Sequence, residues 1–267
     1  MEILLSVSIF ILGTIIGSFL NVFILRYNTG ASFQGRSKCF SCGTTLSWRE
    51  LIPILSFVYL DGRCRHCRSS VSAQYPLVEL ATGFLFLGIF LEFPFTLTAG
   101  YILSSVFYAL IGSLLIVIVA YDLRHTIIPN LCVYSFIALT FLWLFIDIET
   151  MTLVNPSIIS ILAGPLVAFP LFLLWLVSRG KWMGLGDAKI ALGIGFMLGI
   201  YGGFSALMIS FWAGALVSVI FLALQKKTAL SRAGKQLTIK SEIPFAPFLV
   251  FGFFLVFFFN LNVFVLW

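Results

Sequence analysis

Residues 98–121 read TAGYILSSVFYALIGSLLIVIVAY, an apolar run without a charged side chain. A helix needs about 20 such residues to cross a bilayer. Backbone groups in lipid must hydrogen-bond within their own segment, which favours a helix over any open structure. The whole chain is similar, with 61% hydrophobic and 10% charged residues, whereas soluble domains carry roughly 25% charge. The sequence therefore predicts an all-α polytopic membrane protein.

Apolar runs recur often enough to predict about eight transmembrane helices. We expect them at residues 3–25, 77–94, 98–121, 129–147, 157–177, 188–200, 201–224 and 245–266. The predicted domains are a first transmembrane helix (1–25), a small loop domain (26–76) and a seven-helix core embedded in the membrane (77–267). The polar segment 225–244 is expected to be a loop.

Charge predicts the orientation of these helices. The loops at 26–76, 122–128, 178–187 and 225–244, together with Lys189 at a span edge, hold all 16 Lys and Arg residues. Basic loops stay in the cytoplasm, so we expect a multi-pass membrane protein with these loops on the cytoplasmic side and both termini outside. The net charge of +6 then reflects the membrane topology. The expected partner of such a protein is the lipid bilayer. No nucleic-acid partner is expected, because that would require a basic surface interleaved with aromatic residues.

Two Cys-x2-Cys pairs lie in the long loop 26–76, with 21 residues between them. Thiolates on two tight turns can complete a tetrahedron around one metal ion. Two disulfides or four reduced thiols are the alternatives, and a cytoplasmic loop disfavours disulfides. Four thiolates leave no open position for water, so the expected ion is a structural Zn²⁺. The predicted ligands are Cys39, Cys42, Cys64 and Cys67.

Three acids lie inside or at the edge of predicted spans, where a charge is costly and is a functional candidate. They are Asp122 in Tyr121-Asp122-Leu123, Asp187 in Gly184-x-Gly186-Asp187, and Glu79 near the start of the second span. Two carboxyls held close share one proton, and one can then act as base towards water, as in aspartyl proteolysis. Bland alternatives remain for each: a helix N-cap for Asp187, an ion pair with Arg124 for Asp122, and an internal salt bridge for Glu79.

Several blocks in order resemble the bacterial type IV prepilin peptidases. They are Gly17-Ser-Phe-Leu-Asn-Val22, the two cysteine pairs, Leu51-Ile-Pro-Ile-Leu-Ser56, Tyr75-Pro-Leu-Val-Glu79, Asp122 ahead of Ile128-Pro129-Asn130, the Gly184–Asp187 block and Pro244-Phe-Ala-Pro-Phe248. The chain departs from the family at two places. Family members often have Arg-Leu-Pro where this chain has Arg26-Tyr27-Asn28, and a proline where it has Phe40.

The resemblance implies catalysis by Asp122 and Asp187. It further implies a multi-pass protein of the bacterial cytoplasmic (inner) membrane that cleaves the short basic leader of prepilins and pseudopilins, at the cytoplasmic face and after a glycine. N-methylation of the new terminus, usually Phe, from S-adenosylmethionine is implied as a second activity. Glu79 is the nearest acid that could hold the amine or this cofactor.

Two other functions remain alternatives on sequence alone. One is an intramembrane aspartyl protease of the presenilin or signal-peptide-peptidase kind, which the cysteine loop disfavours. The other is a proton-coupled transporter that uses the three acids as a relay. Transporters place such groups near the middle of the membrane, whereas these lie at predicted helix ends.

Overall fold

The computed structural model of the protein describes residues 2–29, 32, 35–93, 98–147, 152–227 and 244–264. Within these ranges the regular elements are helices, and only isolated β-bridges accompany them. The α-helices are α1 (Glu2–Arg26), α2 (Leu55–Tyr59), α3 (Gln74–Glu92), α4 (Ala99–His125), α5 (Asn130–Trp143), α6 (Ile158–Ser178), α7 (Leu185–Lys227) and α8 (Ala246–Phe259), and a 3₁₀ helix covers Trp48–Leu51. The all-α prediction is confirmed.

Five of these helices, α1, α3, α4, α6 and α7, are long and apolar enough to cross a membrane, and α5 and α8 are shorter apolar helices. The chain is therefore a multi-pass membrane protein. It folds into two compact units, Met1–Ala120 with Ile148–Thr150 and Tyr121–Asp147 with Met151–Trp267. The predicted domains 1–25, 26–76 and 77–267 were divided by whether each segment lies inside the membrane, whereas these units are defined by contacts between residues. That division therefore stays a prediction.

In the first unit, α1 packs against α3 through small residues. A Cβ on Gly13 would lie 2.8 Å from the Thr82 carbonyl oxygen, and one on Gly17 would lie 2.7 Å from the Glu79 Cα. Such contacts bring two backbones together where lipid supplies no hydrophobic driving force between helices. Residues near Gly17 and Glu79 therefore lie at one level along the two helices.

In the second unit, α5, α6 and α8 all pack against α7. The helix α7 is broken at Gly199, which has φ 71° and ψ −172°. A Cβ on Gly203 would lie 3.4 Å from the Gly195 Cα, although eight residues of straight helix span about 12 Å. The chain therefore reverses at Gly199, and α7 supplies two of the predicted spans.

Two predicted boundaries differ from the structure. The span expected at 129–147 ends at Trp143, because the next residues turn and Ile146 pairs with Leu153. The helix predicted from residue 188 begins at Leu185, which brings Asp187 inside its first turn. Most of the polar segment 225–244 lies outside the described residues.

Candidate active site and metal centre

Asp122 lies in the last turn of α4 and is 5% exposed. Its carboxylate accepts a hydrogen bond from the backbone N–H of Ala246, the first residue of α8. A buried carboxylate needs such donors because it has lost its water. The start of α8 thus fixes one oxygen of a side chain that is 124 positions earlier in the sequence.

Asp187 is the third residue of α7 and is 7% exposed. Its carboxylate accepts a hydrogen bond from the N–H of Gly184, just before the helix. This contact is one half of a capping box, so the capping role considered for Asp187 is present, though from the third helical position. Capping does not account for its burial beside a second acid.

The two aspartates belong to the same unit, and their carboxyl groups are close enough for their charges to interact. The connection between α4 and α5 and the start of α7 hold them there. Ile128, in the connection between α4 and α5, packs against Gly186, where an added Cβ would lie 2.6 Å from the Ile128 Cδ1. The connection that follows Asp122 therefore rests directly on the turn that precedes Asp187.

A polar contact that the sequence did not suggest joins the same two elements. The Lys189 Nζ donates to the Asn130 Oδ1 at 3.1 Å and lies 4.5 Å from the centre of the Tyr134 ring. Lys189 is two residues beyond Asp187 in α7, and Asn130 begins α5. The contact ties α5 to α7 beside the carboxyl pair.

The four loop cysteines form one cluster whose Sγ atoms all lie within 4.8 Å of one another. All are free thiols, as is Cys132 in α5, so the disulfide alternative is not supported. A zinc ion with Zn–S bonds of about 2.3 Å requires sulfur atoms about 3.8 Å apart in a tetrahedron. The Sγ atoms of Cys39 and Cys67 are 3.9 Å apart. The four thiols could therefore hold a metal ion with little rearrangement.

The two cysteine turns repeat one backbone pattern at an offset of 25 residues. The N–H of Cys39 donates to the Thr44 carbonyl, and that of Cys64 donates to the Ser69 carbonyl. The bridges Lys38–Thr45 and Arg63–Ser70 close both turns in the same way. Amides of the turns also point at sulfur: the N–H groups of Cys42 and then Ser41 lower the pKa of the Cys39 thiol to about 6. Such amides favour the thiolate that binds metal.

His66, inside the second turn, is not part of the cluster. Its Nε2 lies 3.7 Å from the Glu50 Oε1. The Glu50 carboxylate also accepts hydrogen bonds from the Ser47 hydroxyl at 2.7 Å and the Ser47 N–H at 2.8 Å, and the hydroxyl is the main reason that the pKa of Glu50 is lowered. This arrangement caps the 3₁₀ helix at Trp48–Leu51.

Glu79 is buried in the second turn of α3, 6% exposed. Its Oε2 accepts the N–H of Ile54 at 2.8 Å, and Ser18 of α1 bonds to the same carboxyl group. Asn21 of α1 joins this cluster by donating to the Tyr75 carbonyl oxygen at 3.1 Å. Glu79 therefore connects α1, α3 and the loop between the two cysteine pairs.

Two family models match the chain. Residues 11–93 match the bacterial peptidase A24 N-terminal domain, which includes Glu79 and the cysteine cluster. Residues 109–219 match the type IV leader peptidase family, which includes Asp122 and Asp187. The chain belongs to the type IV leader peptidase family.

Curated relatives extend this match over most of the chain. A prepilin leader peptidase/N-methyltransferase of Myxococcus xanthus is 32% identical over 86% of this chain and 66% of the relative. Proteins of the same name from Bacillus subtilis and Stutzerimonas stutzeri are 31% and 30% identical, over 91% and 90% of this chain and 90% and 85% of the relatives. No solved structure matches. Family membership favours the prepilin peptidase interpretation over the presenilin-like and transporter alternatives.

Proposed function

We propose that this type IV leader peptidase family member is an aspartyl endopeptidase of the inner membrane, and that it removes the short basic leader of type IV prepilins and pseudopilins after a glycine. One observation carries the proposal. Asp122 and Asp187 are two buried carboxyls whose charges interact, in a chain of this family. Its relatives are named for the same reaction.

In the proposed mechanism a water molecule lies between the two carboxyl groups. One carboxylate takes a proton from this water, whose oxygen attacks the carbonyl carbon of the leader's last glycine. The other carboxyl group donates its proton to the carbonyl oxygen, and the leaving amine is protonated as the intermediate collapses. The N–H groups of Ala246 and Gly184 orient the two carboxyls for these transfers.

We place this reaction at the cytoplasmic face. Asp122 lies at the end of α4 with Arg124 in the same turn, and Asp187 lies at the start of α7 close to Lys181. Basic residues at helix ends mark the cytoplasmic side. A prepilin leader, which is basic and stays in the cytoplasm, would meet the carboxyl pair there.

The test is leader cleavage by the variants Asp122→Asn and Asp187→Asn in membranes, read by mass spectrometry of a co-expressed pilin. An amide cannot act as base or pass on a proton, so each rate should fall at least about 10³-fold. Asp61→Asn is the matched control, because Asp61 is an exposed loop acid. Cleavage near the wild-type rate by either dyad variant would falsify the aspartyl mechanism.

We further propose that the chain N-methylates the new terminus, usually Phe. S-adenosylmethionine would supply an electrophilic methyl group, and the chain would have to hold the new amine uncharged. Since this transfer would not use the carboxyl groups of Asp122 and Asp187, the dyad variants should still methylate a synthetic peptide that already begins at Phe. Labelled cofactor and this peptide are the assay, and no label transfer by wild type under conditions of robust cleavage would leave the protein as a peptidase alone.

Glu79 stays the candidate acid for this second activity, although its known contacts favour a structural role. Its Oε2 already accepts the Ile54 N–H, and Ser18 bonds to the same carboxyl group. Glu79→Gln separates the two roles: loss of methylation with intact cleavage supports binding of the amine or cofactor, whereas a matched loss of both activities and of thermal stability supports the anchor.

For the cysteine cluster we propose one structural Zn²⁺ per chain. The four thiolates would fill its coordination sphere, and the ion would staple the loop without touching substrate. Metal analysis of reduced, freshly purified protein should find about one zinc per chain. Ser in place of any ligand should lower that content, whereas Cys132→Ala should leave it unchanged. Wild-type protein without zinc would contradict the proposal. The four proposed zinc ligands are Cys39, Cys42, Cys64 and Cys67.

A further inference from the structure

The segment between the two cysteine turns lies beside α1 and α3, on the membrane side of the charged end of α1. The Ile54 N–H donates to the Glu79 Oε2, and Glu79 packs against Gly17 of α1. Gly17 is nine residues before Arg26, the basic residue that ends α1, which is about 13 Å at 1.5 Å per residue. The Glu79 side chain and its hydrogen bond span part of this distance, so the backbone at Ile54 lies at least about one helical turn in from the charged end of α1.

The backbone of this segment is hydrogen-bonded in the manner that lipid requires. The N–H groups of Ser56, Val58 and Leu60 donate to carbonyl oxygens at Ile52, Ile54 and Ser56. The Ile54 N–H has Glu79, and residue 53 is a proline without an N–H. An unsatisfied backbone group is costly at membrane depth, so these hydrogen bonds lower the cost of placing the segment at the edge of the leaflet.

The side chains that this segment exposes are apolar. Leu55, Val58 and Tyr59 are 67%, 66% and 86% exposed, and their spacing puts them on one face of α2. No charged residue occurs between Leu51 and Leu60. In water, exposing three large apolar side chains would be costly for a five-residue helix. At the level of Glu79 the same side chains would contact acyl chains.

The residues just before α2 suit the lipid headgroups. Trp48 is 69% exposed, and the Arg49 guanidinium lies 5.3 Å from the centre of its ring. Tryptophan and arginine concentrate at the membrane–water interface. Residues 26–76 carry seven Lys and Arg against Glu50 and Asp61, a charge that attracts anionic lipids at about 1 kcal/mol per basic residue near the surface.

We infer that residues 48–59 form a re-entrant segment that dips into the leaflet where α1 ends and binds anionic lipid of the protein's own bilayer. Leu55, Val58 and Tyr59 contact acyl chains, and Trp48 with Arg49 binds headgroups. The cysteine turns flank this segment in sequence, so the metal cluster is held at the membrane surface. The inference does not depend on the proposed peptidase activity.

The test uses the full chain in nanodiscs of phosphatidylethanolamine and phosphatidylglycerol, with an environment-sensitive fluorescent amino acid in place of Tyr59. A lipid with a doxyl quencher near the headgroup should quench the probe, and aqueous iodide should quench it at least about twofold less than the same probe at Arg65, since interfacial segments lie about 5–10 Å below the surface. Arg65 is an exposed polar position in the second cysteine turn. Replacing phosphatidylglycerol by phosphatidylcholine should weaken the lipid quenching.

Two results would overturn the inference. Equal iodide quenching at positions 59 and 65 would show that α2 faces water. Shielding of position 59 from both quenchers would mean that a protein surface, such as a substrate helix or a second copy of the chain, covers it. If the Tyr59 variant does not fold, the probe at Val58 gives the same comparison, with monodispersity in size-exclusion chromatography as the check on folding.

Discussion

Gly186→Ala tests how closely the separation of the two aspartates is controlled. The new Cβ would lie 2.6 Å from the Ile128 Cδ1, 3.0 Å from its Cβ and 3.2 Å from its Cγ1. Ordinary carbon contacts begin near 3.5 Å, so the nearest atom must move by about 1 Å. Rotating the Ile128 side chain cannot relieve the clash with its Cβ, which is fixed to the backbone. The connection between α4 and α5 must therefore move away from the turn before Asp187.

This displacement should affect the rate of cleavage more than substrate binding. Asp122 is six residues before Ile128 and is held by the same connection, through the bond from the Thr126 N–H to its carbonyl oxygen at 2.7 Å. A misplacement of about 1 Å can cost about 10²-fold in rate, and the fixed Ile128 Cβ at 3.0 Å must move by about 0.5 Å to reach an ordinary contact. We expect kcat for leader cleavage to fall about 10- to 100-fold, with KM changed less than about threefold.

The assay is steady-state cleavage of a prepilin in detergent or nanodiscs, with the melting temperature measured on the same samples. Gly214→Ala in α7 is the matched control, because a Cβ there would have only ordinary contacts, the closest being 3.6 Å from the Phe248 Cδ2. The double variant Gly186→Ala with Ile128→Ala should recover only part of the lost rate, since it removes the 2.6 and 3.2 Å contacts but keeps the 3.0 Å contact with the Cβ of residue 128. Wild-type kcat in the Gly186→Ala variant, or no recovery in the double variant, would refute the reasoning.

Three further outcomes follow from single contacts. Lys189→Met should lower kcat for cleavage about tenfold by freeing the start of α5 at Asn130, Lys189→Arg should retain most of it, and the exposed Lys181→Met should change nothing. Arg68 has φ 59°, a conformation that costs a non-glycine residue about 1 kcal/mol, so Arg68→Gly should slow zinc loss to a chelator while Arg65→Gly should not. Stripping the zinc should speed amide hydrogen exchange across residues 36–70 and leave exchange in α7 unchanged.

The membrane helices could be predicted because hydropathy and length decide them. Backbone hydrogen bonding in lipid forces each long apolar run into a helix, and the first three runs and the fifth lie within a few residues of their predicted positions. The main error occurs where local pairing competes with that rule, because residues after Trp143 turn back and Ile146 pairs with Leu153. At Gly199 a positive φ reverses the chain within two residues of the predicted division between the sixth and seventh spans.

The cysteine loop was predicted as a ligand set but not as a repeat. Spacing identified the four cysteines, which the structure brings within 4.8 Å of one another. The repeat at an offset of 25 was hidden because the residue after each second cysteine differs, Gly43 in one turn and Arg68 in the other. Both have positive φ, 72° and 59°. The backbone pattern is shared although the residue type suited to it occurs only once.

The contacts that hold the aspartates together had no sequence signal because they depend on tertiary packing. The donor to Asp122 is a backbone N–H at Ala246, a group that every residue except proline has, so no side-chain pattern can mark it. The same holds for Ile128 on Gly186, since an isoleucine in a membrane protein suggests only lipid or core. The Lys189 contact with Asn130 joins two residues 59 positions apart.

The cost of an acid in a membrane span selected Asp122, Asp187 and Glu79 by one rule, and that rule cannot tell catalysis from anchoring. Their partners can. Each aspartate has one backbone donor and another acid within interaction range, so the pair retains acceptor capacity for a water molecule and its proton. The contacts of Glu79 are to a backbone N–H and a serine in its own unit, which suit a group that fixes the depth of a loop. An acid at the membrane edge is therefore a candidate for chemistry when its neighbour is a second acid, and for architecture when donors of the same unit engage it.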